Sequence, residues 1–244
     1  LLASSAASDV YKRQLLEEKM NIIGIIGAMP SELADIRKTL AGSAVVKHSG
    51  FEFYINVFDG KLIVNACCGI AKVNAAVCAQ VMIYRFNVEA IINTGVAGGM
   101  DDSVKICDIV VSNEVLPHDL ELRFLNNYPP YNSIFKADEN LVKIACETCD
   151  DFHYARHIGR IVSGESFISS SEIKKEICGK FSPLAVDMES SAVGHCAFIN
   201  GIPFLSLRCI SDNSDDNGEM SFDEFEKIAA KRVAEIVLEM IRRI

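Results

Sequence analysis

The chain has 244 residues, half of them apolar and only six of them proline, enough to bury one sizeable core. A formal net charge of −9 argues against a nucleic-acid or anionic-membrane partner, since both surfaces need clustered Lys and Arg. Nine cysteines, an odd number scattered through apolar segments, suit small buried hydrophobes in a reducing compartment such as the cytoplasm.

Residues 1–19 look foreign to the rest. Asp9-Val-Tyr-Lys-Arg-Gln14 resembles the translation of a transposon end used in sequencing libraries. The stretch is expected to be an artefactual or disordered extension ahead of a start at Met20. It lacks the basic n-region and continuous apolar core of a signal peptide. No apolar run approaches the roughly 20 residues of a membrane span. No Gly/Ser/Pro-rich linker divides residues 20–244, which are expected to form a single domain.

Asn21-Ile-Ile-Gly-Ile-Ile-Gly27 predicts a first strand, buried on both faces. Pro30 suits the first turn of a helix, and Leu33, Ile36 and Leu40 recur behind it at helical spacing. Glu32 therefore sits in the first helical turn beyond the strand's carboxyl end. A carboxylate there either answers the helix dipole or faces a ligand crevice. Strands are predicted near 44–48, 51–58 and 61–66, the last two joined by an Asp59-Gly60 hairpin turn. Gly69-Ile70-Ala71 leads into a helix through Val73, Val77 and Tyr84. Residues 90–94 predict a buried strand ending in a Gly-rich turn, Gly95-Val-Ala-Gly-Gly99. That turn is neither a dinucleotide fingerprint nor a P-loop.

A strand over 108–112 precedes a long Pro/Asn/Tyr-rich loop, 118–135, of a length usually kept for binding or an interface. The helix over 141–148 carries Cys146 at redox or zinc spacing from Cys149, but no second pair follows at a zinc-ribbon interval. His153 and His157 lack the Glu of a zinc-protease helix and are expected on solvated surface, so neither metal nor other cofactor is expected. A strand over 159–164 runs into Ser163-Gly-Glu-Ser-Phe-Ile168, where Phe167 is either core or a stacking platform. A helix over 171–178 precedes Ala185-Val-Asp-Met-Glu189. Asp187 and Glu189 diverge on an extended chain, so at most one is expected to face a crevice.

Pro203-Phe-Leu-Ser-Leu-Arg-Cys-Ile-Ser-Asp212 begins as another buried strand and is expected to stop on Arg208, Ser211 and Asp212. Arg208 and Asp212 either pair with each other or mark the rim where α/β sheets bind ligands. Ser221 as N-cap with Glu224 three residues on has the shape of a capping box for the closing helix. The sum is an α/β three-layer sandwich, a central mixed sheet flanked by helices. Glu32, Glu189 and Asp212 each follow a buried strand, so one crevice can gather them. Carboxylates gathered without a metal set suit acid–base work on a glycosidic bond.

Six motifs then occur in order: Ile23-Gly-Ile-Ile-Gly-Ala-Met-Pro-Ser-Glu32, Asn93-Thr-Gly-Val-Ala-Gly-Gly99, Ser163-Gly-Glu-Ser-Phe-Ile168, Ala185-Val-Asp-Met-Glu189, Arg208-Cys-Ile-Ser-Asp212 and Ser221-Phe-Asp-Glu-Phe225. Together they resemble the 5′-methylthioadenosine/S-adenosylhomocysteine nucleosidases of the purine nucleoside phosphorylase superfamily. The resemblance implies hydrolysis of an N-glycosidic bond in a small nucleoside by a cytoplasmic homodimer, with loop 118–135 closing the partner's pocket. It implies that Asp212 protonates N7 of adenine and that Glu32 positions the attacking water with help from Arg208. Glu189 would hold the ribose hydroxyls beside the Met188 backbone. Phe167 would stack on adenine while the Ile168 backbone reads its edge. Met29, Ile70 and Phe222 would form the 5′-alkylthio pocket, and Ser211 belongs to the matching Arg-x-x-Ser-Asp motif.

Departures from the family pattern are Val96 where relatives often have Ser, Asp187, and Pro30-Ser31. They bear on substrate preference more than on reaction type. The alternatives are a phosphorylase, a futalosine or 5′-deoxyadenosine hydrolase, and a non-catalytic nucleoside-binding protein. An anionic Glu32 near the nucleophile disfavours phosphate, and pure binding needs no acid–base pair.

Overall fold

The computed structural model describes residues 21–244, and the reading of residues 1–19 and Met20 lies outside the described residues. The elements run β1 (Ile22–Gly27), α1 (Pro30–Thr39), β2 (Ala44–His48), β3 (Phe51–Phe58), β4 (Lys61–Cys67), α2 (Lys72–Phe86) and β5 (Ala90–Gly99). The second half continues with β6 (Ile109–Pro117), α3 (Leu122–Asn127), β7 (Phe135–Lys136), α4 (Glu139–Asp151), β8 (Arg156–Ser163) and α5 (Ser171–Phe181). It closes with β9 (Ala185–Asp187), α6 (Ser190–Asn200), β10 (Phe204–Asp212) and α7 (Gly218–Arg243).

The expected mixed sheet flanked by helices is what forms. β1 lies between β4 and β5, parallel to both, and the β2–β3–β4 meander extends one side antiparallel. Period-2 alternation sends Ile22 and Ile26 to one face and Ile23 and Ile25 to the other. On the first face pack α2 and α6, through Cys78, Met82, Val193 and Ala197. On the second pack α1, α4 and α7, through Leu33, Leu141, Val233 and Val237. Gly24 makes room for α2, since a Cβ there would lie 2.4 Å from Met82 Sδ.

The other side of the sheet curls shut. β5 pairs with β10, β10 with β6, β6 with β8, β8 with β9, and β9 back with β5. This ring brings the far ends of β5, β9 and β10 together. Those ends carry the acidic motifs.

Several local expectations change. The Gly95–Gly99 run is strand rather than turn, because β10 and β9 supply ladder partners along it and tertiary pairing overrides weak propensity. β10 does not stop on Arg208, which pairs in mid-strand with Val110 and Gly95. Loop 118–135 contains the short helix α3 and ends in β7. The closing helix starts at Gly218 with Asn217 as N-cap, so Ser221 lies inside its first turns and caps nothing. Cys146 and Cys149 are free thiols buried on α4, and burial pushes the Cys149 thiol up to about 12. His157 is half-buried, its ring nitrogen 2.9 Å from Asp108, while His153 is exposed. Among the described residues no helix is long and apolar enough to cross a membrane.

Candidate active site

One cavity at the closed end of the ring is lined by Glu32, Glu189 and Asp212 together. Met29, Ile70, Phe167, Met188, Ser211 and Phe222 line it as well. Ile168 lines a small side pocket beside Phe167 and Asp212 instead, and Arg208 lies wholly buried behind the cavity wall. The sequence-predicted residues thus converge on one place, with Arg208 as support from behind.

Glu32 owes its position to the helix it begins. Pro30 opens α1, and the Glu32 carboxylate reaches back to accept from the backbone N–H of Met29 at 2.9 Å and of Ala28 at 2.6 Å. Its other oxygen accepts from Val96 N–H across the sheet at 3.0 Å and lies 3.8 Å from Arg208 Nη1. Burial raises its pKa, while Arg208 and the three N–H groups work the other way. Gly95 is the window for this contact. A Cβ there would fall 2.2 Å from both Arg208 Nη1 and Glu32 Oε1.

Arg208 is surrounded by acids. Its Nε lies 2.9 Å from Asp187 Oδ2, its Nη2 lies 3.7 Å from Glu189 Oε2, and Nη2 also donates to Asn93 Oδ1 at 2.6 Å. An extended chain predicts that Asp187 and Glu189 diverge, yet both face the guanidinium. The extended geometry ends at Asp187, and Glu189 (φ −133°, ψ −37°) already turns into α6. Nor does Arg208 pair with Asp212. Burial raises Glu189 to about 7, against the pull of Arg208. Glu189 Oε1 accepts from Ala71 N–H at 2.9 Å, and Ala71 holds φ +85° and ψ 162°. That backbone region is essentially reserved for glycine and costs an alanine about 1–3 kcal/mol. The strain sits where the N–H must meet the acid.

Asp212 is in a different setting. Its carboxyl is nearly fully buried and accepts from Ser214 N–H at 2.8 Å and from the Ser211 hydroxyl at 2.9 Å. No guanidinium holds it. Burial raises its pKa, which favours the protonated form. Gly98 leaves room for this arrangement, because a Cβ there would lie 1.9 Å from Ser214 Oγ and 2.9 Å from Asp212 Oδ1. Phe167 is 42% exposed at the mouth and meets Phe222 edge-on, ring centroids 5.7 Å apart.

Sequence reasoning missed the backbone donors Ala28, Val96, Ala71 and Ser214, because every non-proline residue has an N–H. The ties of Asp187 to Arg208 and of Asn93 to Arg208 had a signal: polar groups inside buried strands require partners.

The fold and site define a class, the phosphorylase superfamily, whose family model matches residues 22–242. A 5′-methylthioadenosine/S-adenosylhomocysteine nucleosidase of Staphylococcus haemolyticus is 35% identical over 226 residues, 91% of this chain and 99% of the relative. The Neisseria meningitidis protein of that name, solved with methylthio-immucillin-A, matches with a TM-score of 0.88 at 34% identity, covering 92% of this chain and 100% of that one. A futalosine hydrolase of Helicobacter pylori strain 26695 matches with a TM-score of 0.88 at 30% identity, covering 93% and 99%. The chain belongs to the 5′-methylthioadenosine/S-adenosylhomocysteine nucleosidase family.

Proposed function

We propose that the protein hydrolyses the N-glycosidic bond of 5′-methylthioadenosine and S-adenosylhomocysteine, releasing adenine and the free 5′-thioribose product. The observation that carries this reading is one cavity in which two of the buried carboxyls, Glu32 and Asp212, sit in unlike settings. Glu32 is fastened by three N–H groups with a guanidinium nearby, whereas Asp212 is buried with no guanidinium against it and burial outweighs the more distant pull of Lys174. Groups whose environments differ in this way divide acid and base roles.

Asp212, protonated, gives its proton to N7 of adenine as the N9–C1′ bond breaks, so the base leaves neutral. The sugar passes through an oxocarbenium-like state, which Glu189 supports through the ribose hydroxyls. Glu32 takes a proton from the water whose oxygen bonds to C1′, and Arg208 holds Glu32 from behind. Both carboxyls then regain their starting states by proton exchange with solvent. Phe167 stacks on adenine beside the Ile168 backbone, and Met29, Ile70 and Phe222 receive the 5′ substituent.

Adenine release from methylthioadenosine without phosphate, yielding free methylthioribose, is the expected assay result. Strict phosphate dependence would make the protein a phosphorylase. The structural likeness to a futalosine hydrolase makes futalosine the competing substrate for the same assay.

The reading puts the reaction in methionine salvage in the cytoplasm, and nine free thiols agree with a reducing compartment. It also makes the protein a homodimer. A second cavity of about 560 Å³ is walled by Val73, Val77, Leu120, Leu125, Phe135 and Ile199. Val73 is 72% exposed and Ile199 63%, the kind of apolar patch that marks an interface. This groove draws on loop 118–135 and on α2, just past Ile70 of the catalytic cavity. Active protein is expected to sediment as a dimer, and an active monomer at assay concentration would overturn that.

A further inference from the structure

Asp212 needs its carboxyl held in place, and its own hydrogen bonds do so only locally. Both come from within the segment 211–214. The backbone beneath that segment is irregular, with a bulge in the β5–β10 ladder between Ile210 and Asp212. The register pairs Asp212 with Gly98.

A side chain from another layer bridges this point. Lys174, half-buried on α5, donates from its ammonium to the carbonyl of Gly99 at 2.9 Å and to the carbonyl of Asn213 at 2.7 Å. Gly99 ends β5, and Asn213 directly follows the acid. The same helix meets the segment again at its first turn. Asp216 accepts from Ser171 N–H at 3.2 Å and from the Ser171 hydroxyl at 2.8 Å. An ammonium is suited to the first tie, having three donors in a compact head able to satisfy two carbonyls at once.

We infer that Lys174 is a positioning residue for the leaving-group acid: its ammonium clamps the ends of β5 and β10 and so fixes where the Asp212 carboxyl meets the base. The inference rests on reading Asp212 as the acid. A merely structural lysine would affect every substrate alike, whereas this clamp acts through one proton transfer.

The test is a kinetic cycle of wild type, Lys174→Met, Asp212→Asn and the double variant. Each is measured on methylthioadenosine and on the matching riboside with a nitrophenyl leaving group, which departs without a proton. Lys174→Met is expected to lower kcat on methylthioadenosine by about 10–100-fold with KM little changed, the scale of a misplacement near 1 Å. On the nitrophenyl riboside the loss is expected to stay within about 3-fold, and the double variant is expected to be no slower than Asp212→Asn. Equal losses on both substrates, or additive losses in the double variant, would overturn the proposal. If Asp212→Asn alone fails to discriminate the substrates, the acid reading fails and the proposal with it, which that arm reports separately. Should Lys174→Met not fold, Asp216→Ala loosens the same segment from its other tie and carries the same expectations.

Discussion

Asp212→Asn is expected to lose adenine release from methylthioadenosine by on the order of 10²–10⁴-fold, the usual worth of general acid catalysis. The substitution keeps the shape of a side chain that is 1% exposed and still offers an oxygen to Ser214 N–H. What it removes is the proton. Adenine leaves poorly as an anion, whereas a nitrophenolate needs no acid, so the same variant should retain most of its activity on the nitrophenyl riboside. Glu32 works on the water, which both substrates need, so no such split is expected there. Steady-state kinetics of Asp212→Asn on the two ribosides checks this, and equal losses with binding intact would remove the acid role.

Arg208→Met is expected to cost about 3–5 kcal/mol of stability, because breaking a buried ion pair leaves uncompensated charge. Here one fully buried guanidinium faces Asp187, Glu189 and Glu32. The sign with pH follows from Glu32 and Glu189, whose carboxyls burial raises. Glu189, raised from 4.5 to about 7 by burial, contributes stability that is present below pH 4.5 and lost as pH rises through 7. Removing the cation raises Glu32 and Glu189 further, so ionising them costs more. The stability gap between wild type and Arg208→Met should therefore be wider at pH 8 than at pH 5 in urea denaturation. An equal gap at both would mean that lost packing, not charge, dominates.

Much of the site was legible from local pattern. β1 and the Pro30 helix start required Glu32 to lie just past a strand end, and the Asp59-Gly60 turn fixed the β3–β4 register. What escaped depends on partners distant in sequence. Gly95–Gly99 has the composition of a turn, and only β10 and β9 make it a strand. Arg208 has the appearance of a rim residue until the ring closes around it and Asp187 turns inward. Lys174 looks like any helical surface lysine, because its partners are the carbonyls of Gly99 and Asn213, which no side-chain pattern announces.

The central claim, that water and not phosphate replaces adenine at C1′, has one direct measurement. Methylthioadenosine is turned over in ¹⁸O-labelled water containing phosphate, and the sugar product is weighed by mass spectrometry. Water attack predicts adenine together with free methylthioribose carrying one ¹⁸O at C1. An unlabelled methylthioribose 1-phosphate in its place would contradict the account.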